Sequence, residues 1–308
     1  MQKKLLFFVN PKAGHSEIRG SLMQVIQTLT AGGYEVTVHP TSAPRDLTRQ
    51  IEKRAADFDL VVCTGGDGTL NEAVSGLMQL PPSARPPLGY IPGGTVNDVA
   101  RTLGLSMDPI LAAQDIVTGR EFPIDVGAFG ENRWFVYVAA FGAFTEVSYS
   151  TPQETKNILG HQAYMLEAIK RLTGLKSYRM RLTWEHLGEQ RELEEEFILG
   201  MVTNTTSIGG FKGLVGMDVA LDDGEFEVLL VRKPRTPLDI ASIAAYLIQR
   251  EGENECVFKF RTSKLTVQSE ELVDWSLDGE FGGSQTEVVI ENKPREIAIR
   301  VPEVTVRG

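Results

Sequence analysis

One short stretch limits this chain more than any other. The apolar run Leu60-Val61-Val62-Cys63-Thr64 passes without a linker into Gly65-Gly66-Asp67-Gly68-Thr69-Leu70-Asn71-Glu72, which opens a helical pattern. The run shows no alternation of apolar and polar residues, so it suits a strand covered on both faces. Such a strand belongs to a parallel sheet flanked by helices. The glycines let the backbone adopt positive φ and come close to a ligand. The helix start adds unpaired N–H groups and the favourable end of the dipole, so the turn suits a polyphosphate. Asp67 is placed to hold Mg2+ beside that phosphate. The competing reading is a glycine-rich strand-to-helix turn that binds nothing.

The surrounding pattern repeats this unit. LLFFV (5–9), EVTVH (35–39) and LGYI (88–91) read as further strands, with helices over 20–31, 44–56, from about Thr69, and near 97–103. Strands alternating with helices predict parallel βαβ units in a three-layer α/β domain. Ile91-Pro92-Gly93-Gly94-Thr95-Val96-Asn97-Asp98 again runs strand, glycines, helix start. Asn97 or Asp98 alone would serve as an N-cap. Two glycine turns at one sheet edge point instead to a nucleotide crevice, because ligands of open α/β sheets sit at the carboxyl ends of the strands. Asn10-Pro11-Lys12-Ala13-Gly14 ends the first strand, where a plain turn and a phosphate contact both stay open. None of the three turns is a GxxxxGK[ST] loop or a GxGxxG fingerprint.

Near Pro123 the texture changes. PIDVGAFG, RWFVYVAAFG, SYRMRLTWEH, EEFILGMVTN, GEFEVLLVRK, FKFRTSKLTVQS and TEVVIEN read as strands separated by turns, interrupted by helices at 159–173 and about 237–250. Succession without intervening helices predicts an antiparallel sandwich or barrel. REIAIRVP (295–302) reads as a last strand of either domain. The boundary falls near residue 125, giving domains 1–125 and 126–287, with 288–308 returning to the first. The EEE run at 194–196 suits a solvated strand edge or loop. Asp222-Asp223-Gly224 and Asp278-Gly279-Glu280 each carry Asp-Gly, a strong hairpin-turn signal.

Composition removes other classes. A formal net charge of −10 argues against a nucleic-acid partner, which would need a surplus of Lys and Arg. MQKKLLFFVNP meets Pro11 too soon for a secretory h-region. No apolar stretch approaches the ~20 residues of a spanning helix. The expectation is a cytoplasmic protein with only peripheral membrane contact. Cys63 and Cys256 form neither a disulfide framework nor a metal-binding spacing. His15, His39, His161 and His186 are scattered and read as ordinary surface residues, so no His/Cys cluster suggests zinc.

GGDGTLNE (65–72), PGGTVNDVAR (92–101) and NPKAG (10–14) together resemble the diacylglycerol kinase catalytic family, whose relatives include sphingosine and ceramide kinases. The likeness continues through LGHQAYMLEAIKRL (159–172), Gly209-Gly210, MDVALDDGEFEVLLV (217–231) and WSLDGE (275–280), covering nearly the whole chain. It implies an N-terminal α/β domain similar to phosphofructokinase and NAD kinase, plus a C-terminal β-sandwich. It further implies that Asp67 organises Mg·ATP, with Gly65, Gly66, Gly68, Thr69, Leu70 and Asn71 wrapping the phosphates. Thr95 within Gly94-Thr95, and Thr41 past the second strand, would contact the nucleotide, with Asn10, Asn97 and Asp98 at the same edge. Glu280 would be the general base for the acceptor hydroxyl, beside Asp278. Asp125 would lie near the interdomain cleft by the metal. Asp218, with the carbonyls of Val215 and Ala220, would bind a structural Mg2+ or Ca2+. Ala13 and Met217 depart from the family's usual serine and proline.

The reaction so implied moves the γ-phosphate of ATP to a lipid hydroxyl, a step that asks mainly for positioning and charge neutralisation. Diacylglycerol is the favoured acceptor, with phosphatidylglycerol or a sphingoid alcohol as alternatives. An NAD kinase-like enzyme and a non-enzymatic nucleotide-binding regulator are the rivals, and a homodimer fits the family pattern only loosely. The helix at 159–172, with Lys170 and Arg171, would either form a lipid entrance or pack on the sandwich.

Overall fold

The computed structural model describes residues 2–11, 17–142, 176–186, 188–205, 207–208, 211–212, 219–249 and 254–303. The N-terminal part runs β1 (Lys3–Val9), α1 (Glu17–Ala31), β2 (Tyr34–Pro40), α2 (Asp46–Arg54), β3 (Leu60–Gly65), α3 (Asp67–Leu77), β4 (Leu88–Pro92), α4 (Asp98–Thr102) and α5 (Pro109–Thr118). β2, β1, β3 and β4 are parallel neighbours in that order. The unbroken apolar run of β1 is explained by its two covered faces. Leu5, Phe7 and Val9 pack with Val25 and Leu29 of α1 and with Ala113 and Ile116 of α5. Leu6 and Phe8 pack on the opposite face with Ile51 of α2 and Leu70 and Val74 of α3. The region is therefore α/β with three layers.

Helix α5 has no counterpart in the elements read from the sequence, although its start signal is there. Asp108 caps it, accepting from the N–H groups of Ile110 (2.8 Å) and Leu111 (2.9 Å), and Pro109 fills the first helical position.

From Arg120 the described chain is strand-rich: β5 (Arg120–Phe129), β6 (Arg133–Phe135), β7 (Val138–Gly142), β8 (Tyr178–His186), β9 (Glu189–Thr203), the short β10 (Ser207–Ile208) and β11 (Phe211–Lys212), and β12 (Phe226–Arg232). After helix α6 (Pro237–Gln249) come β13 (Val257–Thr262), β14 (Lys264–Leu277) and β15 (Glu280–Val301). Its core gathers Phe129, Phe141 and Trp275, Trp275 meeting each of the other rings edge-on at 5.0–5.2 Å, with buried apolar side chains of β6, β8, β9, β12 and β15 around them. The pairing here is antiparallel, but these strands are not a separate sheet. Thirteen of the described strands form one sheet, because β15 pairs with β14 along its first half and lies between β5 and β4 along its second.

TEVVIEN and REIAIRVP, which read as two strands, are thus one. The break expected at Lys293-Pro294-Arg295 is a register shift inside β15, with Arg295 at φ 54°. A bulge accommodates Pro294 without ending the strand. The EEE run lies within β9, where Glu194 meets Arg179 and Arg181 of β8. The expected helix at 159–173 and the Gly209-Gly210 turn lie outside the described residues.

Candidate active site

The order of the parallel strands creates the site. β2 lies on one side of β1, and β3 followed by β4 on the other. The connections after β1 and β3 leave in opposite directions and open a crevice at the carboxyl ends. Asn10 and Thr69 meet there, Asn10 Nδ2 donating to Thr69 Oγ1 at 3.3 Å. Thr41 follows β2 at the same edge, its N–H bonded to Val9 O. Its loop is fixed by Asp46, which accepts from Ser42 N (2.9 Å) and Ser42 Oγ (3.0 Å). The Ser42 N–H above all holds the Asp46 carboxyl below its ordinary pKa.

The two glycine turns touch. A Cβ on Gly94 would stand 2.5 Å from Gly66 Cα, and Gly93 N donates to Gly65 O at 2.7 Å. Part of the glycine pattern therefore serves backbone-to-backbone packing. Asn97, at φ 54° and ψ 54°, locks the second turn, accepting from Gly94 N (2.9 Å) and donating to Gly94 O (2.8 Å). Tyr90 Oη donates to Gly65 O at 3.0 Å.

Asp67 begins α3, whose first intrahelical bonds run from Thr69 and Leu70 N–H to Gly66 O. One carboxylate oxygen accepts from Asp98 N at 3.2 Å; the other is buried with no hydrogen-bond partner. Burial first, then the charges of Asp98 and Asp278, push its pKa up to about 6. An orphaned, buried carboxylate oxygen in a negative field suits a cation. Among the described residues no group of three metal-ligating side chains exists. That is no obstacle for Mg2+, which commonly takes one or two carboxylates and completes its shell with water and phosphate.

Asp278 is the opposite case. Its carboxylate accepts from Val136 N (2.7 Å), Tyr137 N (2.9 Å), Val138 N (3.0 Å) and Asn71 Nδ2 (2.7 Å). Four donors fill the four lone-pair sites of an ionised carboxylate. Burial nonetheless keeps its pKa above the ordinary value. Asp278 and Gly279 both have positive φ, 49° and 85°, so the Asp-Gly hairpin turn is real. It delivers Glu280, exposed at the start of β15, to the first turn of α3. A Cβ on Gly68 would lie 3.4 Å from Glu280 Oε1.

Glu280 and Gly68 line a cleft of about 1160 Å3. Asn10, Thr41, Thr69 and Asn71 line one side; the other carries Phe129, Trp134, Leu277, Phe281 and Val288 interspersed with Glu131, Asn132, Arg133, Gln285 and Glu287.

The diacylglycerol kinase catalytic domain matches residues 4–129. A diacylglycerol kinase of Bacillus subtilis is 34% identical over 91% of both chains. The chain belongs to the diacylglycerol kinase family. Another member, from Staphylococcus haemolyticus, is 32% identical over 92% of this chain and 84% of its own. A crystal structure of a Bacillus anthracis diacylglycerol kinase superposes with a TM-score of 0.79 at 27% identity, covering 97% of both chains.

In this member of the family, not every residue picked from the sequence reaches the cleft. Gly66, Gly68, Thr69, Asn71, Asn10, Thr41 and Glu280 line it. Asp67, Gly94, Thr95, Asn97 and Asp98 stand on the other flank of the first glycine turn, and Thr95 is exposed there. Leu70 is fully buried in the core, and Gly65 closes β3 under Thr69, both without side-chain access to a ligand. Asp125 is buried and outside the cleft lining, accepting from Gly224 N (2.7 Å), Arg295 N (2.8 Å) and Asn292 Nδ2 (3.3 Å). It ties the β15 bulge to the Asp222-Asp223-Gly224 turn, which is therefore more than a plain hairpin. Val215, Asp218, Lys12, Ala13 and Gly14 lie outside the described residues, leaving Ala220 as the described part of the expected cation site. Arg45 and Arg133, which also line the cleft, were not legible in the sequence. Arg45 sits at φ 62° with its N–H on Glu72 Oε1, a strained loop position with no sequence signature; Arg133 is bonded to Gly282 O.

Proposed function

We propose that this chain transfers the γ-phosphate of ATP to the hydroxyl of a lipid alcohol at a membrane surface, with diacylglycerol as acceptor and phosphatidic acid as product. The carrying observation is the placement of Glu280: a carboxylate at the first turn of α3, in a cleft lined by polar side chains and by the exposed ring of Phe281. The polar side chains suit a nucleotide, and Trp134 and Phe281 offer apolar contact to a lipid.

In this reading Asp67 would hold Mg2+ through its partnerless oxygen, the ion neutralising charge on the polyphosphate. Glu280 accepts the proton of the acceptor hydroxyl as the new oxygen–phosphorus bond forms and the bond from γ-phosphorus to ADP breaks. Asp278, with no acceptor site left, orients the turn that carries Glu280. Asn71 links that turn to α3, since its amide also donates to Trp134 O at 2.9 Å. Asn97 shapes the second glycine turn. Among the described residues no helix is long and apolar enough to cross a membrane, so the lipid would be reached from the surface. The division at residue 125, with β15 returning, remains our reading of the domains. It is supported by the change from parallel to antiparallel pairing on either side of β5.

The test is transfer of labelled γ-phosphate in mixed micelles to diacylglycerol, phosphatidylglycerol, sphingosine and undecaprenol, with NAD as the water-soluble control. Label in diacylglycerol that disappears in Glu280→Gln is expected. Label in NAD alone would overturn the reading.

A further inference from the structure

The loop between β2 and α2 carries an arginine where its own turn calls for glycine. Asp46 N donates to Ala43 O at 3.1 Å, closing a four-residue turn with Pro44 and Arg45 at its centre. Proline suits the first central position, and Arg45, at φ 62° and ψ 11°, stands at the left-handed second position of a type II turn. Glycine adopts that backbone freely, whereas a long side chain there is strained. No bond of the side chain within the fold offsets the strain. Among the described residues the exposed Arg45 guanidinium makes no hydrogen bond or ion pair. The bonds of this residue are main-chain ones, its N–H donating to Glu72 Oε1 at 3.0 Å and its carbonyl accepting from Arg49 N at 3.2 Å.

Arg45 lines the cleft together with Thr41, Gly66, Gly68 and Thr69. Glu72, which anchors its N–H, lies five residues into α3 from Asp67, about 7.5 Å along the helix. The lining holds the carboxylates of Glu72, Glu131, Glu280 and Glu287 against two arginines. Arg133 is held by Gly282 O, so Arg45 is the uncommitted cation of the lining among the described residues. A polyphosphate entering so acidic a cleft needs positive charge besides a metal ion, and the planar guanidinium fork matches two phosphate oxygens at once. Backbone strain of this kind persists where function needs the side chain.

We propose that Arg45 is a nucleotide-binding residue whose guanidinium donates to phosphate oxygens of ATP in the cleft. It offsets the repulsion between the polyphosphate and the carboxylates of the lining. This rests on the nucleotide-dependent kinase reading above and adds to it the side chain that receives the phosphates.

Arg45→Gly removes the guanidinium, gives the turn the residue it favours and keeps the N–H on Glu72. Without ligand the variant should melt at the wild-type temperature or above it. By calorimetry, its affinity for a non-hydrolysable ATP analogue with Mg2+ should fall about 10- to 100-fold, the range for a lost bond to a charged group. Wild-type affinity should drop more steeply with added salt than that of the variant, because an exposed charge pair is screened. Undiminished affinity in Arg45→Gly, or the same salt dependence in both proteins, would overturn the assignment. A melting temperature below wild type would overturn it too, since the side chain would then be holding the loop. So would unchanged nucleotide affinity with weaker binding to phosphatidylglycerol vesicles, which would give the arginine to a lipid headgroup. The calorimetry needs no turnover. If wild type binds the analogue but labels no lipid, the kinase reading fails while Arg45→Gly still decides the role of the guanidinium.

Discussion

The turn that opens α3 places the half-buried Asp67 beside glycine, the turn that joins β14 to β15 places the buried Asp278 there, and the two carboxylates feel each other's charge. Asp278 is surrounded by four donors at 2.7–3.0 Å. Asp67 has one backbone N–H at 3.2 Å and one oxygen with nothing to accept from. A carboxylate whose lone pairs are filled by its own chain has no capacity left for a metal or a substrate, so it holds shape. One left unfilled at the cost of burial is held ready for a partner from outside. Proximity to the glycine turns thus does not decide which acid does chemistry. Satisfaction of its oxygens does.

The contrast is sharpest under one substitution made twice. Asp67→Asn should lower phosphate transfer about a thousandfold or more, because the cation loses its anionic ligand. Asp278→Asn should instead destabilise the fold by about 3 kcal/mol, since an amide NH2 would face backbone N–H groups that now donate to a carboxylate. Its activity loss should follow from misplacement of Glu280 and be the smaller of the two. A Asp278→Asn protein that melts like wild type would break the comparison. Asn71→Ala should cost about 2 kcal/mol, the range for a hydrogen bond to a charged group, and loosen the tie between α3 and the Glu280 turn. Chemical denaturation reads both.

A smaller effect probes the contact between the glycine turns. Gly94→Ala would put a Cβ 2.5 Å from Gly66 Cα, whereas Gly66→Ala would meet Gly94 Cα at 3.3 Å. The first should cost about 1–3 kcal/mol and the second clearly less. Equal costs would mean that the turns are not in contact.

Much of this was legible in the chain itself. The apolar runs of β1 and β3, the glycines after β3 and β4, and the Asp-Gly hairpin before Glu280 each carry a local signal that no tertiary contact overrides. What escaped was non-local. Nothing in Lys293-Pro294-Arg295 says that the strand continues, because the bulge is held by Asp125, far away in sequence. The saturation of Asp278 depends on Val136, Tyr137, Val138 and Asn71, over a hundred residues earlier. Asp278 and Asp67 look alike in sequence and differ only once the chain has folded. Helix α5 was different: Asp108-Pro109 is a local start signal that can be read without the structure.

The most direct test of the account is the melting temperature of wild type and Asp67→Asn across pH 4 to 8, with and without Mg2+ and a non-hydrolysable ATP analogue. The Asp67 carboxyl has a pKa of about 6 in the fold against an ordinary 3.8, so the folded protein keeps its proton to higher pH than the unfolded chain. The stability linked to that proton is complete below pH 4 and is lost as the pH rises through 6. Ligand-free Asp67→Asn should therefore match wild type near pH 4, melt above it at pH 7, and gain little from Mg2+ and nucleotide while wild type gains much. A variant that melts below wild type at pH 7 without ligand, or that is stabilised equally by Mg2+ and nucleotide, would contradict a carboxylate held open for a cation.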